Sequence, residues 1–264
     1  AAVTITTAEN ATLDIQTGTG ANGTNTVNSD GTGTITIDAT ALGVDSVLDV
    51  NGSGAYVVNN LQGDVNAAGA TAAVTITTAE NATLDIQTGT GANGTNTVNS
   101  DGTGTITIDA TALGDGELLD INGTSAYVVT DLQGDLDNAA SGGVTATLVA
   151  NDSDTFSITS SEAITVENGT AAADETISLI GAGAFTVTGL VADVDASSAT
   201  AAVTITTAEN ATLDIQTGTG ANGTNTVNSD GTGTITIDAT ALGDGELLDI
   251  NGTSAYVVTD LQGD

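Results

Sequence analysis

The chain is built from short stretches in which apolar and polar residues alternate, separated by turns rich in Gly, Asn and Asp. In the first stretch Val3 and Ile5 share one side and Thr4 and Thr6 the other, because successive side chains of a strand alternate. The same pattern recurs at Leu13 and Ile15, at Ile35 and Ile37, and at Leu48 and Val50. No helical period extends beyond one turn, so the pattern predicts an all-β chain.

These stretches belong to a long tandem repeat. The string AAVTITTAENATLDIQTGTGANGTNTVNSDGTGTITIDATALG begins at Ala1, Ala72 and Ala201, and residues 72–135 are identical to residues 201–264. A diverged copy lies between them, since GAFTVTGLVADVD (183–195) aligns without a gap with SAYVVTDLQGDLD (125–137). We therefore divide the chain into repeat 1 (1–71), repeat 2 (72–141), a shortened repeat 3 (142–200) and repeat 4 (201–264).

Repeat 3 is shorter than the others. Val144 and Ile164 are 20 positions apart, whereas the equivalent Val203 and Ile235 are 32 apart, so repeat 3 has lost 12 residues. A rod of stacked coils is expected to lose whole coils, and this loss counts against such a rod.

Two all-β architectures are consistent with the repeats. In a parallel β-solenoid rod, each repeat would form three coils of about 23–24 residues. In the alternative, the chain would be a string of small antiparallel β-sandwiches. We favour the solenoid because a narrow interior suits small aliphatic residues, and aromatic residues make up 2% of the chain. The repeats are also joined without a Pro- or Ser-rich linker, by segments such as residues 65–71.

The charge is entirely negative: Asp and Glu total 34, and Lys, Arg and His are absent. We expect no nucleic-acid partner and no direct membrane insertion, because phosphates and anionic lipids attract Lys and Arg and no long apolar span is present. Without Cys or His there is no thiol or imidazole chemistry. Carboxylate-only polysaccharide cleavage remains conceivable, but verbatim repetition suits multivalent contact, and we expect no enzyme.

Three stretches, AYVVTDLQGDLD, GAFTVTGLVADVDAS and TITIDATALG, resemble the repeats of giant secreted bacterial surface proteins, namely adhesins, S-layer-like proteins and RTX-associated proteins. The resemblance covers all four repeats and rests on composition and strand–turn rhythm. It implies an extracellular, cell-surface location and a structural or adhesive role, often with calcium. The chain departs from the RTX pattern because the Gly-Gly-x-Gly-x-Asp nonapeptide is absent.

The sequence therefore predicts a non-catalytic structural protein, part of a surface filament, a surface layer or an adhesin stalk. Its expected partners are its own copies, joined head to tail or laterally through strand edges and cation-bridged carboxylates. The alternative is a binding module that binds glycans, cells or ice through a flat Thr/Asn-rich face. The candidate residues of that face are Thr32, Thr34, Thr36, Thr103, Thr105, Thr107, Thr232, Thr234 and Thr236.

Calcium is the only cofactor that the composition suggests, because Ca²⁺ takes six to eight oxygen ligands from flexible loops. The clearest loop is Asp115-Gly116-Glu117, which recurs in repeat 4. The candidate ligands are Asp115, Glu117, Asp244, Glu246, Asp30, Asp101 and Asp230. The alternative interpretation is that these carboxylates cap turns and keep the surface soluble.

Asn-x-Thr/Ser triplets are frequent and are candidate glycan acceptors. They begin at Asn10, Asn22, Asn51, Asn81, Asn93, Asn122, Asn151, Asn168, Asn210, Asn222 and Asn251. A chain rich in Asn, Gly and Thr also generates such triplets without any modification.

One aromatic position recurs in every repeat, occupied by Tyr56, Tyr127, Phe185 and Tyr256. We expect these rings to be packing residues or contacts between neighbouring rods. The replacement of Tyr by Phe in repeat 3 indicates that the ring matters and the hydroxyl does not.

Overall fold

The structure is a computed structural model that describes residues 3–19, 23–150 and 155–264. These residues form strands and turns and contain no helix, so the all-β prediction is confirmed. The chain divides into two compact units. The first comprises residues 1–134 and 139–143, and the second comprises residues 135–138 and 144–264.

The strands are short, from four to eight residues. The first thirteen are β1 (Val3–Thr6), β2 (Leu13–Gln16), β3 (Thr24–Asn28), β4 (Thr34–Asp38), β5 (Val47–Gly52), β6 (Ala55–Leu61), β7 (Asp64–Ala70), β8 (Ala72–Thr78), β9 (Leu84–Gln87), β10 (Asn93–Ser100), β11 (Thr105–Asp109), β12 (Leu118–Gly123) and β13 (Ala126–Leu132). The others are β14 (Asp135–Ala140), β15 (Val144–Leu148), β16 (Thr155–Ser160), β17 (Ile164–Glu167), β18 (Thr176–Gly181), β19 (Phe185–Leu190), β20 (Asp193–Ala199), β21 (Ala201–Thr207), β22 (Leu213–Gln216), β23 (Asn222–Ser229), β24 (Thr234–Asp238), β25 (Leu248–Gly252) and β26 (Ala255–Thr259).

Each unit is a parallel β-solenoid in which a coil contributes one strand to each of two sheets. Odd-numbered strands pair with odd-numbered strands, and even-numbered with even-numbered. In the first unit, Val3 pairs with Asn25 and Leu13 with Ile35, so one coil here takes 22 residues. The solenoid prediction is confirmed, and the antiparallel sandwich alternative is wrong because the strand pairs are parallel.

The prediction of three coils per repeat is wrong. Among its described residues, repeat 1 contains seven strands, β1 to β7, and therefore three and a half coils. The segment interpreted as a joint forms β7, which pairs with both β5 and β9. Its inward residues are Val65, Ala67 and Ala70, and the two alanines are too weakly apolar to mark a strand by alternation.

An odd number of strands per repeat moves equivalent strands from one sheet to the other. In the first unit the sequence VTIT lies in the odd-numbered sheet as β1 and in the even-numbered sheet within β8. In the second unit, β21 has the sequence of β8, AAVTITT, and lies in the odd-numbered sheet. Residue by residue, β8 and β21 alternate between buried and outward positions in the same order. Either sheet can therefore accept the same strand.

This equivalence explains the 12-residue loss in repeat 3. In the part of the chain that the structure describes, repeat 3 has six strands, β15 to β20, one fewer than repeats 1 and 2. The loss thus corresponds to one strand and its turn, which is half a coil. A half coil can be lost because a strand that changes sheet finds the same kind of surroundings.

The core lies between the two sheets and consists of small aliphatic side chains. Ile35, Ile37, Leu48 and Val50, all predicted to share inward faces, are fully buried. Burial of each such side chain contributes roughly 1.5–3 kcal/mol relative to exposure. The outward positions are left to Thr, Asn and Asp, which set the chemistry of the surface.

Candidate functional site

The first unit carries an acidic face on its odd-numbered sheet. Four adjacent strands, β5, β7, β9 and β11, direct the carboxylates of Asp49, Asp64, Asp85 and Asp109 outward. Asp64 and Asp85 are direct neighbours, since the next residues along their strands pair with each other. Asp64, Asp85 and Asp109 line a surface groove of about 420 Å³ together with Asn66 and Gln87.

The second unit carries the equivalent acidic face on its even-numbered sheet. Strands β20, β22 and β24 direct Asp193, Asp195, Asp214 and Asp238 outward, and these carboxylates line a groove of about 300 Å³. These strands are the counterparts of β7, β9 and β11 in the first unit. The acidic face thus recurs, on the other sheet, at the joint between repeats 3 and 4.

Hydrogen bonds fix several of these carboxylates. Asp64 Oδ1 accepts a bond of 2.9 Å from the backbone N–H of Asp85, and Asp193 Oδ1 accepts one of 2.7 Å from Asp214. Neighbouring strands lie about 4.8 Å apart, and like charges at that spacing repel. The acidic faces should therefore concentrate cations from solution.

Two carboxylates at the ends of strands are stabilised in their ionised form. The hydroxyl of Thr40 donates a bond of 2.5 Å to Asp38 and its N–H donates one of 3.0 Å. Thr240 binds Asp238 in the same way. These bonds, with the hydroxyl bond as the largest contribution, hold the pKa of both carboxyls below the usual value.

The even-numbered sheet of the first unit carries a neutral face. Its strands β6, β8 and β10 direct no carboxylate outward among their described side chains. One outward column consists of Thr36, Val57, Thr75 and Thr97, which lie in register on β4, β6, β8 and β10. Asp14 and Asp120 lie at its two ends.

The odd-numbered sheet of the second unit carries the matching neutral face, with a longer column of threonines. Five consecutive strands, β15, β17, β19, β21 and β23, place Thr145, Thr165, Thr186, Thr204 and Thr226 in register. All five side chains point outward. Across these five described strands, Glu167 is the one outward carboxylate. We call the surface of these five strands the threonine face.

The strand sequences explain why charge separates onto two faces. Within a repeat, the strands VTIT and TNTVN carry no carboxylate, whereas LDIQ, TITID, VLDVNG and DVNAAGA each carry one. Two-strand coils place the fifth and seventh strands beside the second and fourth strands of the next repeat. The sixth strand joins the first and third in the other sheet. At the repeat joint, acidic strands therefore neighbour acidic strands.

The predicted calcium ligands lie in turns rather than on these faces. Asp101 Oδ1 accepts a 3.2 Å bond from the N–H of Thr124 in the next coil, and Asp230 accepts a 3.1 Å bond from Thr253. These two aspartates thus cap turns, and Asp30 occupies the equivalent position in repeat 1.

The other predicted ligands lie in the loop before β12 and its equivalent in repeat 4. Asp115 and Asp244 are exposed, and Glu117 and Glu246 are half-buried. Within the described ranges, no three acidic side chains form a group that could hold a metal ion. Calcium binding therefore stays a prediction.

The recurrent aromatic position lies in the core. Tyr56, Tyr127 and Phe185 are each 1% exposed, so contact between rods through these three rings is wrong and packing is their role. Tyr256 is half-buried in β26, which has one strand neighbour in the structure.

The tyrosine hydroxyl also has a role, contrary to the expectation drawn from Phe185. Tyr127 donates a 2.6 Å hydrogen bond to the backbone carbonyl of Asn122, and Tyr56 bonds Asn51 in the same way. Burial raises the pKa of Tyr56 to about 12 and that of Tyr127 in the same direction. The phenol therefore stays neutral and ties the turn between two strands.

Three candidate glycan acceptors share one conformation. Asn10, Asn81 and Asn210 have φ near +60° and are exposed, and their Oδ1 atoms accept bonds of 2.8 Å from the N–H groups of Thr32, Thr103 and Thr232. The amide oxygen here replaces a backbone carbonyl. Thr32 and its equivalents thus belong to the turn, and the expected three-Thr strand array is wrong at its first member.

The other candidate glycan acceptors differ in the group to which their side-chain Nδ2 donates a hydrogen bond. In Asn51, Asn122 and Asn251, Nδ2 donates to a neighbouring Asn or Asp side chain. Nδ2 of the exposed Asn222 donates to the carbonyl of Thr200. Asn168 is buried and donates to the carbonyl of Ala171, so it is not accessible in the folded chain. Asn22, Asn151 and the side chain of Asn93 lie outside the described residues.

Sequence reasoning missed two polar features of the interior. Asn96 accepts a 3.1 Å bond from Gly89 N–H and returns one of 3.1 Å to the Gly89 carbonyl, which closes the loop before β10. A buried hydroxyl chain runs from Thr78 to Ser100 (2.7 Å) and on to Ser125 (2.9 Å). Both could have been found as polar residues at inward positions of the alternation.

Comparison with protein-family models, curated proteins and solved structures finds no match to this chain. Among the described residues, no helix is long and apolar enough to span a membrane. What is known of the fold therefore rests on the strand pairing described above.

Proposed function

We propose that this chain is part of a non-catalytic, extracellular structural protein, an acidic β-solenoid in a surface filament, surface layer or adhesin stalk of a bacterium. The observation that carries the proposal is the equivalence of β8 and β21, whose identical sequences are buried alike in opposite sheets. Repeats that fit either sheet can be added without new contacts having to evolve. Such modularity suits a protein whose task is to span a distance.

The parallel ladders support a load-bearing role. In repeat 1 the pairs β1–β3, β2–β4, β3–β5 and β4–β6 are parallel and stay in register over four or five residues. The recurrence of each surface feature from repeat to repeat favours many weak, equivalent contacts over one specific site. The expected partners are copies of the same chain, and cell-surface glycans are the alternative.

Cations are the proposed counterpart of the acidic faces, with calcium as the first candidate. If calcium bridges carboxylates, the melting temperature should rise more with Ca²⁺ than with Mg²⁺ at equal ionic strength, and chelation should reverse the rise. Equal effects of the two ions would reduce the cation to a screening role and remove calcium from the proposal.

The location is tested by labelling intact cells of the source bacterium with an antibody raised against the purified chain. Labelling of cells that have not been permeabilised, with a cytosolic protein as the negative control, is the expected result. Labelling only after permeabilisation would contradict the proposal. The mechanical role is tested by pulling single molecules of the full chain from its two ends, where a structural element should unfold in discrete, force-bearing steps.

A further inference from the structure

The two faces of the second unit differ in the number of carboxylates that they direct outward. The acidic face carries four outward carboxylates on β20, β22 and β24, whereas the threonine face carries Glu167 alone on five strands. We propose that the threonine face is the surface through which copies of this chain associate side by side. This proposal rests on the structural role proposed above and names the surface and the partner.

The distribution of charge over the chain indicates that the partner of the threonine face is the threonine face of a second copy. With 34 carboxylates and no Lys, Arg or His, the chain has no positive surface that could receive an acidic face of another copy. Two acidic faces brought together would place carboxylates opposite carboxylates, which costs several kcal/mol per close pair. Two threonine faces can approach with Glu167 as the one charge on each described strand set.

The chemistry of threonine suits contact between like faces. A hydroxyl both donates and accepts hydrogen bonds, so a column of threonines can bond to an identical column. Each side chain also contributes a methyl group that gains from being removed from water. The five threonines pair directly with one another from β15 to β23, although β21 shifts register against β19 and β23 elsewhere along the strands. The column itself is therefore regular, as a self-complementary surface requires.

The size of the face predicts a weak, reversible contact. Five strands at about 4.8 Å spacing span about 19 Å, and the two to three outward residues of each strand span about 7–14 Å. The resulting area, at most about 270 Å² per partner, is well below that of a stable interface. Lateral association should therefore need high concentration or many linked repeats, as expected of a fibre or layer.

Sedimentation equilibrium of the full chain, in a chelator and over a range of protein and NaCl concentrations, tests the proposal. The average mass should increase with protein concentration and with NaCl, because salt screens the repulsion between copies. The double variant Thr186→Asp/Thr204→Asp places charges in the middle of the column and should weaken association at least about tenfold.

Two further variants make the result specific. Thr159→Asp/Thr176→Asp adds the same charge at outward positions of the even-numbered sheet and should leave association within about twofold of the wild type. Thr186→Val/Thr204→Val keeps a similar side-chain size but removes two hydroxyls without adding charge, and it should weaken association by less than the Asp variant at the same positions. Far-UV circular dichroism and thermal melting check that each variant is folded, and the Val variant decides the matter if the Asp variants unfold.

Several results would overturn the proposal. One is a monomer under all conditions, including a monomer that inhibits ice growth or binds glycans through Thr186 and Thr204. Another is equal weakening by both Asp variants. A third is association that requires Ca²⁺ and is lost in Asp193→Asn/Asp214→Asn, which would assign the contact to the acidic face. None of these results decides the extracellular structural role, which the cell-labelling and pulling experiments test separately.

Discussion

Strands β1 and β2 have the same sequence as residues 74–77 and 84–87 of β8 and β9, in the same compact unit, yet their side chains differ in exposure. Val3 and Leu13 are each 43% exposed, whereas Val74 is 2% and Leu84 is 4% exposed. Strands β1 and β2 each pair with one strand in the structure, and β8 and β9 each pair with two. Burial is thus supplied by the neighbouring coils and not by the strand itself.

The copy in β21 and β22 separates the effect of neighbours from that of the sheet. These strands have two neighbours each, as β8 and β9 do, but they lie in the other sheet of their unit. Val203 and Leu213 are 2% and 4% exposed, the same values as in β8 and β9. The apolar side chains of a strand are therefore buried when a coil lies on each side of it, and this holds in either sheet.

The largest effect should come from a core truncation made in both copies. Leu84→Ala should destabilise the chain by about 2–5 kcal/mol, because it removes buried methyl groups and leaves a cavity. Leu13→Ala, the same change in the same sequence, should cost less than about 1 kcal/mol because the side chain already contacts water. Urea unfolding, with amide hydrogen exchange to locate local opening, measures both. Equal costs would mean that stacking does not determine burial.

Removal of the tyrosine hydroxyl should also cost more stability where the strand has a neighbour on each side than where it has one neighbour, but the difference should be smaller than for the leucines. Tyr56→Phe should cost about 1–2 kcal/mol, because the carbonyl of Asn51 loses a buried donor. Tyr256→Phe should cost less, since water can reach the half-buried position and replace the bond. Thermal unfolding of the two single variants gives the comparison.

The same tyrosine predicts an alkaline limit to stability. Burial raises the pKa of Tyr56 to about 12 from an ordinary value near 10, so its contribution is fully present below about pH 10. That contribution should be lost as pH rises from about 10 through 12, because the unfolded phenol ionises more readily than the folded one. In Tyr56→Phe this part of the pH dependence should be missing, and an unchanged alkaline profile would contradict the argument.

Repeats 1 and 2 also differ in the buried hydroxyl chain, because repeat 1 lacks the serine that extends this chain in repeat 2. In repeat 1, Gly54 stands where repeat 2 has Ser125, and within the described residues the buried Ser29 Oγ lacks the partner that Ser100 has. A Cβ at Gly54 would lie 2.5 Å from Ser29 Oγ, so the Ser29 hydroxyl has to rotate to bond the new side chain. With that rotation Gly54→Ser should stabilise repeat 1 by about 0.5–1.5 kcal/mol, and Ser125→Gly should destabilise repeat 2 by a similar amount. Melting temperatures that move in the same direction for both variants would exclude the hydroxyl partner as the cause.

The smallest effect should appear in acid. Hydrogen bonds from Thr40 and Thr240 lower the pKa of Asp38 and Asp238, so these carboxylates stabilise the fold above the unfolded value near 3.9. The stabilisation is lost as pH falls below that value and through the lower folded pKa. Asp38→Asn/Asp238→Asn should therefore show a shallower fall in melting temperature between about pH 4 and 2. A fall as steep as in the wild type would assign the acid sensitivity to other groups.

The sequence predicted the solenoid and its inward residues because alternation is strong where strands contain Ile, Leu and Val. It did not predict β7, since the inward alanines of DVNAAGA give almost no signal. Missing that strand led to a count of three coils per repeat instead of three and a half. A single weakly apolar strand thus determined whether the repeat was assigned whole or half coils.

The candidate faces depend on that count and could not be found from the sequence alone. Asp64 and Asp85 are 21 positions apart, and only the pairing of β7 with β9 makes them neighbours. The buried Asn96 was missed for another reason. It is a polar residue at an inward position, where alternation alone gives no partner for it, and it forms two hydrogen bonds to Gly89.

The seven-strand repeat has a consequence for how such a gene can change. Inserting or deleting one full repeat shifts the strand count by an odd number, so every strand downstream exchanges sheets and its outward residues move to the other side of the coil. Inserting two repeats, or one of the six-strand type, preserves the assignment. Whether the number of inserted seven-strand repeats is odd or even therefore determines which outward residues each side of the coil presents.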